Sequence, residues 1–104
     1  MARYNANKLP YKIQDRLMDN FCNILANLKS PLEIRNFLKD LLNRQERIML
    51  IRRLLIADML ENGKSYREIK EKLKTSYTTI ARIGRWLNFG REGYRRALRL
   101  KRLK

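Results

Sequence analysis

The chain has 104 residues, of which 25 are Lys or Arg and 10 are Asp or Glu, so its net charge is +15 at neutral pH. It contains no histidine to act as an imidazole base, and its four glycines do not form a phosphate-binding loop. We therefore expect one domain over residues 1–104 that is not an enzyme and holds no metal ion or cofactor.

The sequence predicts a cytoplasmic protein. Its apolar runs are only a few residues long, too short to cross a membrane. The first five residues lack the apolar stretch of a signal peptide. Cys22, the only cysteine, lies among Phe21, Ile24 and Leu25, so we expect its thiol to be buried and unreactive.

The first third of the chain is predicted to form two helices. After Pro10, apolar residues recur at intervals of three and four from Ile13 to Leu28, which predicts a long amphipathic helix with a broad apolar stripe. Ser30 and Glu33 then have the spacing of a capping box, and the proline between them suits the first helical position. A second helix should begin there.

A third helix should begin at Asn43, with Glu46 three residues later. Its apolar side chains cover nearly the whole circumference. They are Ile48, Met49, Leu50, Ile51, Leu54, Leu55, Ile56, Met59 and Leu60. A helix that is apolar all round must be buried all round. We therefore expect residues 10–62 to form the core of a homodimer; the alternative is a tightly packed monomer with some exposed Leu and Ile.

Residues 63–88 are predicted to form a helix-turn-helix. Ile69 and Leu73 make one apolar stripe, Ile80 and Ile83 make a second, and a short polar segment separates them. In such a motif the first helix braces the second, which enters the major groove of DNA. The alternative is an ordinary helical hairpin with a solvated basic face.

The ends of these two helices are marked. Gly63 can end the preceding helix in a left-handed conformation, and Ser65 with Glu68 forms another capping box. Thr75 or Ser76 can cap the second helix. The turn carries a lysine, residue 74, where glycine is frequent; a left-handed lysine there costs about 1 to 2 kcal/mol.

The positive charge is concentrated on and after this motif. Residues 1–62 carry 11 basic and 7 acidic residues, a net of +4, whereas residues 63–104 carry 14 and 3, a net of +11. Such an excess favours a polyanionic partner. Together with the helix-turn-helix it predicts binding to double-stranded DNA and therefore association with the nucleoid. Segment 89–104, with Leu98, Leu100 and Leu103 among its basic residues, is either an amphipathic helix packed on the core or a tail that orders on phosphate contact.

Several segments together resemble the tryptophan repressor family, in particular its uncharacterised branch of bacterial Trp-repressor-like proteins. These segments are residues 41–47 (Leu-Leu-Asn-Arg-Gln-Glu-Arg), Arg53, 60–63, 65–70, 79–82 and 85–87. The resemblance runs from about residue 10 to 90 and is most specific from 41 to 88. It implies an all-α fold of five to six helices and an intertwined homodimer with one helix-turn-helix per subunit.

The resemblance also implies a site for the corepressor tryptophan, from which this sequence departs. Arg53 and Arg82 match the two arginines that sandwich the indole ring. Ile83 stands in place of a glycine, Trp86 in place of a serine, and Asn43 in place of a small hydroxyl residue. We expect Ile83 and Trp86 to fill much of the cavity and tryptophan not to bind. Whether another small molecule acts as effector stays open, and the alternative role for the two arginines is to pair with acids or phosphates.

The residues proposed to meet DNA fall into two groups. Tyr77, Thr78 and Ala81, with Arg82 at the margin, point away from the apolar stripe toward base edges. Those expected near the sugar-phosphate backbone are Arg53, Arg67, Lys70, Ser76 and Thr79. The leading hypothesis is a dimeric, sequence-specific bacterial transcription regulator, a repressor acting on a palindromic operator. The alternatives are a nonspecific nucleic-acid-binding or assembly module and a bundle that binds only proteins.

Overall fold

The computed structural model describes residues 5–102, with side chains up to residue 99, and all regular structure in this part of the chain is helical. A short 3-10 helix, Ala6–Lys8, comes first. Six α-helices follow: α1 (Tyr11–Ala26), α2 (Pro31–Leu41), α3 (Arg44–Glu61), α4 (Tyr66–Leu73), α5 (Tyr77–Phe89) and α6 (Gly93–Arg102). The predicted all-α fold is confirmed, with six helices.

The chain divides into two compact units, one ending at Leu41 and the other beginning at Leu42. The first unit contains α1 and α2, whose Phe21 and Phe37 rings lie 6.3 Å apart between centroids. None of its described residues is buried. The prediction of a buried thiol at Cys22 was therefore wrong for the single chain, since the thiol-bearing residue is exposed. Two amphipathic helices alone cannot cover every position of a broad apolar stripe.

The second unit contains a small closed core. Each of its helices contributes apolar side chains at helical spacing. The buried residues are Ile56 and Ala57 of α3, Ile69 of α4, Ile80, Ile83 and Leu87 of α5, and Leu98 of α6. The apolar stripes predicted for residues 69–73 and 80–83 thus face one another in this core, which fixes how α5 lies against α4 and α3.

The predicted helix ends are largely confirmed. Gly63 is left-handed with φ +78°, and the Lys64 N–H donates to the Met59 carbonyl, which closes the end of α3. Asn43 with Glu46 and Ser65 with Glu68 form complete capping boxes. At α2 the prediction was partly wrong: Ser30 accepts from the Glu33 N–H, but the Glu33 carboxylate accepts from the N–H of residue 29 instead of Ser30.

The turn between α4 and α5 is strained at Lys74, which has φ 53° and ψ 48°. A side chain with a Cβ costs about 1 to 2 kcal/mol in this left-handed region, where glycine is unstrained. The Arg52 guanidinium of α3 donates to the Leu73 carbonyl just before the turn. Ser76 caps α5 by accepting from the Thr79 N–H at 3.1 Å, so Ser76 and not Thr75 fills that role.

Segment 89–104 forms a packed helix over the residues that the structure describes. Leu98 is only 3% exposed and belongs to the core. Arg95 donates to the Glu61 carboxylate at 2.8 Å and to the Asn88 side-chain oxygen at 2.8 Å, which ties α6 to the ends of α3 and α5. Of the two alternatives, the structure favours the amphipathic helix; Leu103 lies outside the described residues.

Replacing Ser65 with Ala is expected to weaken the start of α4 by about 1 kcal/mol, since the cap is removed. Hydrogen bonds from the backbone and side chain of Ser65 hold the pKa of Glu68 below its ordinary value of 4.5. A carboxylate with a depressed folded-state pKa contributes stability above its unfolded-state pKa and loses it as the pH falls through the folded-state pKa. The Ser65→Ala variant loses the hydroxyl but keeps the backbone N–H, so its Glu68 pKa should rise only part of the way toward the ordinary value in an NMR titration, with a smaller loss of stability on acidification. An unchanged Glu68 titration would contradict this assignment.

Candidate nucleic-acid interface

The outer face of α5 begins at the turn and is open to solvent. Tyr77, Thr78, Ala81 and Arg82 are all exposed, while Ile80 between them is fully buried. This alternation follows from the helical period, because the residue that anchors α5 in the core turns its neighbours outward. The four residues predicted to point toward base edges therefore share an accessible surface.

The start of α5 is held in place by local hydrogen bonds. The Ser76 hydroxyl caps the Thr79 N–H, and the Ser76 and Thr79 hydroxyl oxygens lie 2.9 Å apart, within hydrogen-bonding distance. Ser76 is exposed and Thr79 is half-buried. These two residues order the first turn of α5, and both lie beside its exposed outer face.

Basic side chains of α4 flank this surface. The Lys70 ammonium group lies 4.5 Å from the centroid of the Tyr77 ring, a cation–π contact that joins α4 to α5. Arg67 forms an exposed pair with Glu71 at 3.4 Å, and 82% of the Arg67 side chain is accessible. Because exposed pairs of this kind contribute little stability, Arg67 is available to exchange Glu71 for a phosphate.

One face of α4, the turn and the start of α5 enclose a shallow depression of about 450 Å³. It is lined by Arg67, Lys70, Glu71, Lys74, Thr75 and Tyr77. Three cations and one carboxylate give it a net positive charge. Lys74 was absent from the residues predicted to meet DNA, because the sequence alone did not show where the side chain of a left-handed residue would lie.

A second concave feature, the arginine cleft, lies between α3, α5 and α6 and has a volume of about 340 Å³. Its lining residues are Met49, Arg52, Arg53, Ile56, Thr75, Thr79, Arg82, Ile83, Trp86 and Tyr94. The structure therefore brings together four of the five residues predicted for an effector pocket. The fifth, Asn43, caps α3 and is absent from the lining.

Two of the predicted pocket residues, Ile83 and Trp86, form part of the wall of the arginine cleft. Ile83 is only 4% exposed and belongs to the core, whereas Trp86 is 54% exposed. These side chains form one wall of a cleft that stays open in the single chain, and the expectation that they leave no room for tryptophan stays a prediction. Arg53 lies on this cleft and does not line the depression that contains Arg67 and Lys70.

The apolar circumference of α3 is largely uncovered in the single chain. Ile56 and Ala57 are buried, but the apolar residues of its first three turns are between 41% and 54% exposed. These are Ile48, Met49, Leu50, Ile51, Leu54 and Leu55. Contiguous apolar exposure of this kind marks an interaction surface. Among the described residues, no helix combines the length and apolar character needed to cross a lipid bilayer.

An all-helical chain with a basic helix-turn-helix is of the class that binds DNA through the second helix of the motif. The family model of the Trp repressor protein matches residues 16–102. The chain belongs to the Trp repressor family, a family of helix-turn-helix DNA-binding regulators, and the resemblance noted in the sequence is confirmed.

Two known proteins illustrate the relationship. The uncharacterised protein YerC of Bacillus subtilis (strain 168) is 34% identical over 87 residues, which cover 84% of each chain. The crystal structure of a TrpR-like protein from Eubacterium eligens ATCC 27750 has a TM-score of 0.77 and 31% sequence identity to this chain. That match covers 90% of this chain and 95% of the other, so the Trp-repressor-like fold extends over nearly the whole length of both.

Proposed function

We propose that this protein is a dimeric, sequence-specific transcriptional regulator that represses by occupying a palindromic DNA operator. The observation that carries the proposal is the exposed start of α5, where Tyr77, Thr78 and Ala81 share one surface beside the basic residues of α4. A helix presented in this way fits the major groove of B-DNA, which distinguishes all four base pairs.

In this arrangement the two helices have different tasks. The Thr78 hydroxyl reads a base edge by hydrogen bonding, and its methyl group suits a thymine methyl. Tyr77, supported by the Lys70 ammonium group, packs on the sugar-phosphate wall. Arg67 and Lys70 contact phosphates, which fixes the position of α5 but carries no sequence information.

The dimer is supported by the exposed apolar residues of α3. Their side chains are about half accessible in the single chain, and a second copy of the same helix can bury them. Two helix-turn-helix motifs related by a two-fold axis then read two half-sites about one helical turn apart. A palindromic operator is the natural target of such a pair.

We further propose that tryptophan is not the effector. Ile83 places a buried, β-branched side chain next to Arg82, and the Trp86 ring already lies on the arginine cleft. Both reduce the space and the polar groups that a free amino acid could use. An effector of another kind, or none, is consistent with the cleft that remains.

Calorimetric titration with L-tryptophan is accordingly expected to show no stoichiometric binding. The double substitution Ile83→Gly with Trp86→Ser supplies the contrast, because it restores the small residues and should produce weak affinity for indole compounds. A tight one-to-one complex of L-tryptophan with the unmodified protein would contradict this part of the proposal.

One observation favours a second candidate, a nonspecific nucleic-acid-binding or assembly module, which could act on RNA. Exposed arginines continue beyond the helix-turn-helix at positions 91, 96 and 99, and distributed positive charge binds any polyanion. Nuclease footprinting on DNA containing a selected binding sequence distinguishes the candidates. A protected region with two-fold symmetry supports the repressor, whereas uniform coverage at all sequences supports the nonspecific module.

A further inference from the structure

The turn of the helix-turn-helix contains a residue in an unfavourable conformation. Lys74 has φ 53° and ψ 48°, a region that glycine occupies freely and that a residue with a Cβ avoids. The strain is confined to this one position of the turn, because the only other described residue besides glycine with a positive φ is Glu92, which lies outside the turn. Residues with a strained backbone cluster at functional sites, where the surrounding structure holds them in place.

Within residues 5–99, no ion pair or hydrogen bond of the Lys74 side chain offsets this strain. The Lys74 side chain is exposed. The neighbouring cations differ in this respect, since Lys70 lies on the Tyr77 ring and Arg67 pairs with Glu71. Lys74 therefore presents a hydrated ammonium group that is free to bind an external anion.

The position of this ammonium group is specific. Lys74 lines the shallow depression together with Arg67, Lys70 and Tyr77, directly beside the start of α5. Any DNA phosphate that approaches Lys70 and Tyr77 also comes within reach of Lys74, whose four-carbon side chain is long and flexible.

We propose that Lys74 is a phosphate-binding residue of the DNA interface. Its side chain strengthens DNA binding, and this gain offsets the backbone strain of the turn. This inference rests on the proposed function. Lys74, Arg67 and Lys70 together form a cluster of three cations, the turn cradle, which holds the DNA backbone where α5 enters the groove. Neutralising a phosphate releases a condensed counterion, so the contribution of Lys74 must depend on salt.

The decisive variant is Lys74→Gly, which removes the strain and the charge together and should move stability and DNA affinity in opposite directions. Its melting temperature is expected to rise by roughly 4 to 8 °C, because a gain of about 1 kcal/mol in the free energy of unfolding raises the melting temperature of a domain of this size by that amount. Affinity for DNA at low salt should fall on the order of tenfold. The slope of log affinity against log salt should flatten by about 0.9 for each phosphate that is no longer neutralised.

Two further variants complete the design. Lys74→Arg keeps the charge and the strained backbone, and it should bind DNA like the unmodified protein. Lys72→Ala removes one charge from α4 at a residue that lines a different depression, beside Glu68 and Glu71. Its salt slope should stay within error of the unmodified value, which separates a local phosphate contact from a general loss of positive charge.

Either of two results would overturn the inference. One is a Lys74→Gly variant that binds DNA with unchanged affinity and salt slope. The other is a Lys74→Gly variant that melts at a lower temperature, because the lysine would then be retained for stability, through its charge at the C-terminal end of α4. If Thr78→Ala weakens binding while Lys74→Gly does not, only the inference fails; if the unmodified protein binds no DNA, the proposed function fails.

Discussion

Glutamate introduced at both Ile51 and Leu55 is expected to turn the protein into a monomer and to lower its affinity for an operator by at least about 100-fold. The two residues are one helical turn apart on α3, and they are 54% and 42% exposed in the single chain. A dimer interface would bury two unpaired carboxylates per subunit, which costs several kcal/mol. Without the second subunit, one α5 must bind a half-site alone, and the gain from binding both half-sites simultaneously disappears.

Sedimentation equilibrium at micromolar concentration measures the first part of this result. The unmodified protein should have twice the chain mass of 12.6 kDa, and the double variant should have the mass of one chain. Gln45→Glu is the matched control, because it adds the same side chain at an exposed polar position of α3 and should leave the dimer intact. An unmodified protein that stays monomeric at high concentration would exclude the intertwined dimer.

The second large effect concerns how DNA sequence is read. Thr78→Ala should weaken binding to the best sequence by roughly 1 to 3 kcal/mol and relax the preference at one position in each half-site. Its affinity for scrambled DNA should hardly change, because Thr78 is proposed to touch a base and not a phosphate. Lys70→Ala should instead weaken specific and scrambled DNA alike, and it should flatten the salt slope by about 0.9 for each phosphate involved.

A binding series on both duplexes at several salt concentrations separates these effects. Circular dichroism must show that each variant keeps its helical content, which is expected because Thr78 is exposed and Lys70 contributes nothing to the apolar core. Should Thr78→Ala reduce specific and nonspecific affinity equally, α5 would be facing DNA with a different surface. Should neither substitution matter, the interface would lie elsewhere on the chain.

Much of the fold could be predicted because its signals are local. A capping box is decided by residues three positions apart, as at Asn43–Glu46 and Ser65–Glu68. The facing stripes of the helix-turn-helix follow from the helical period alone. Residues 30–33 had the same spacing but a different outcome, since the Glu33 carboxylate had a choice of two neighbouring N–H donors and bonded to the earlier one.

Features that depend on tertiary packing were harder to predict. The exposure of Cys22 depends on which surfaces cover α1, and the sequence pattern shows only that its neighbours are apolar. The arginine cleft depends on where the Ile83 side chain points, and it points into the core. The sequence shows that a lysine, residue 74, stands at a turn position where glycine is frequent. Only the three-dimensional structure shows that Lys74 is left-handed and that its side chain lies beside Arg67 and Lys70.

The central claim is sequence-specific recognition of DNA by a dimer, and selection of binding sequences from random double-stranded DNA tests it most directly. The purified protein should enrich one motif with two-fold symmetry, whose half-sites are separated by about one turn of B-DNA. The enrichment should disappear in the Ile51→Glu, Leu55→Glu double variant. Recovery of sequences with no common motif, at affinities that depend only on salt, would contradict the claim and favour a nonspecific nucleic-acid-binding protein.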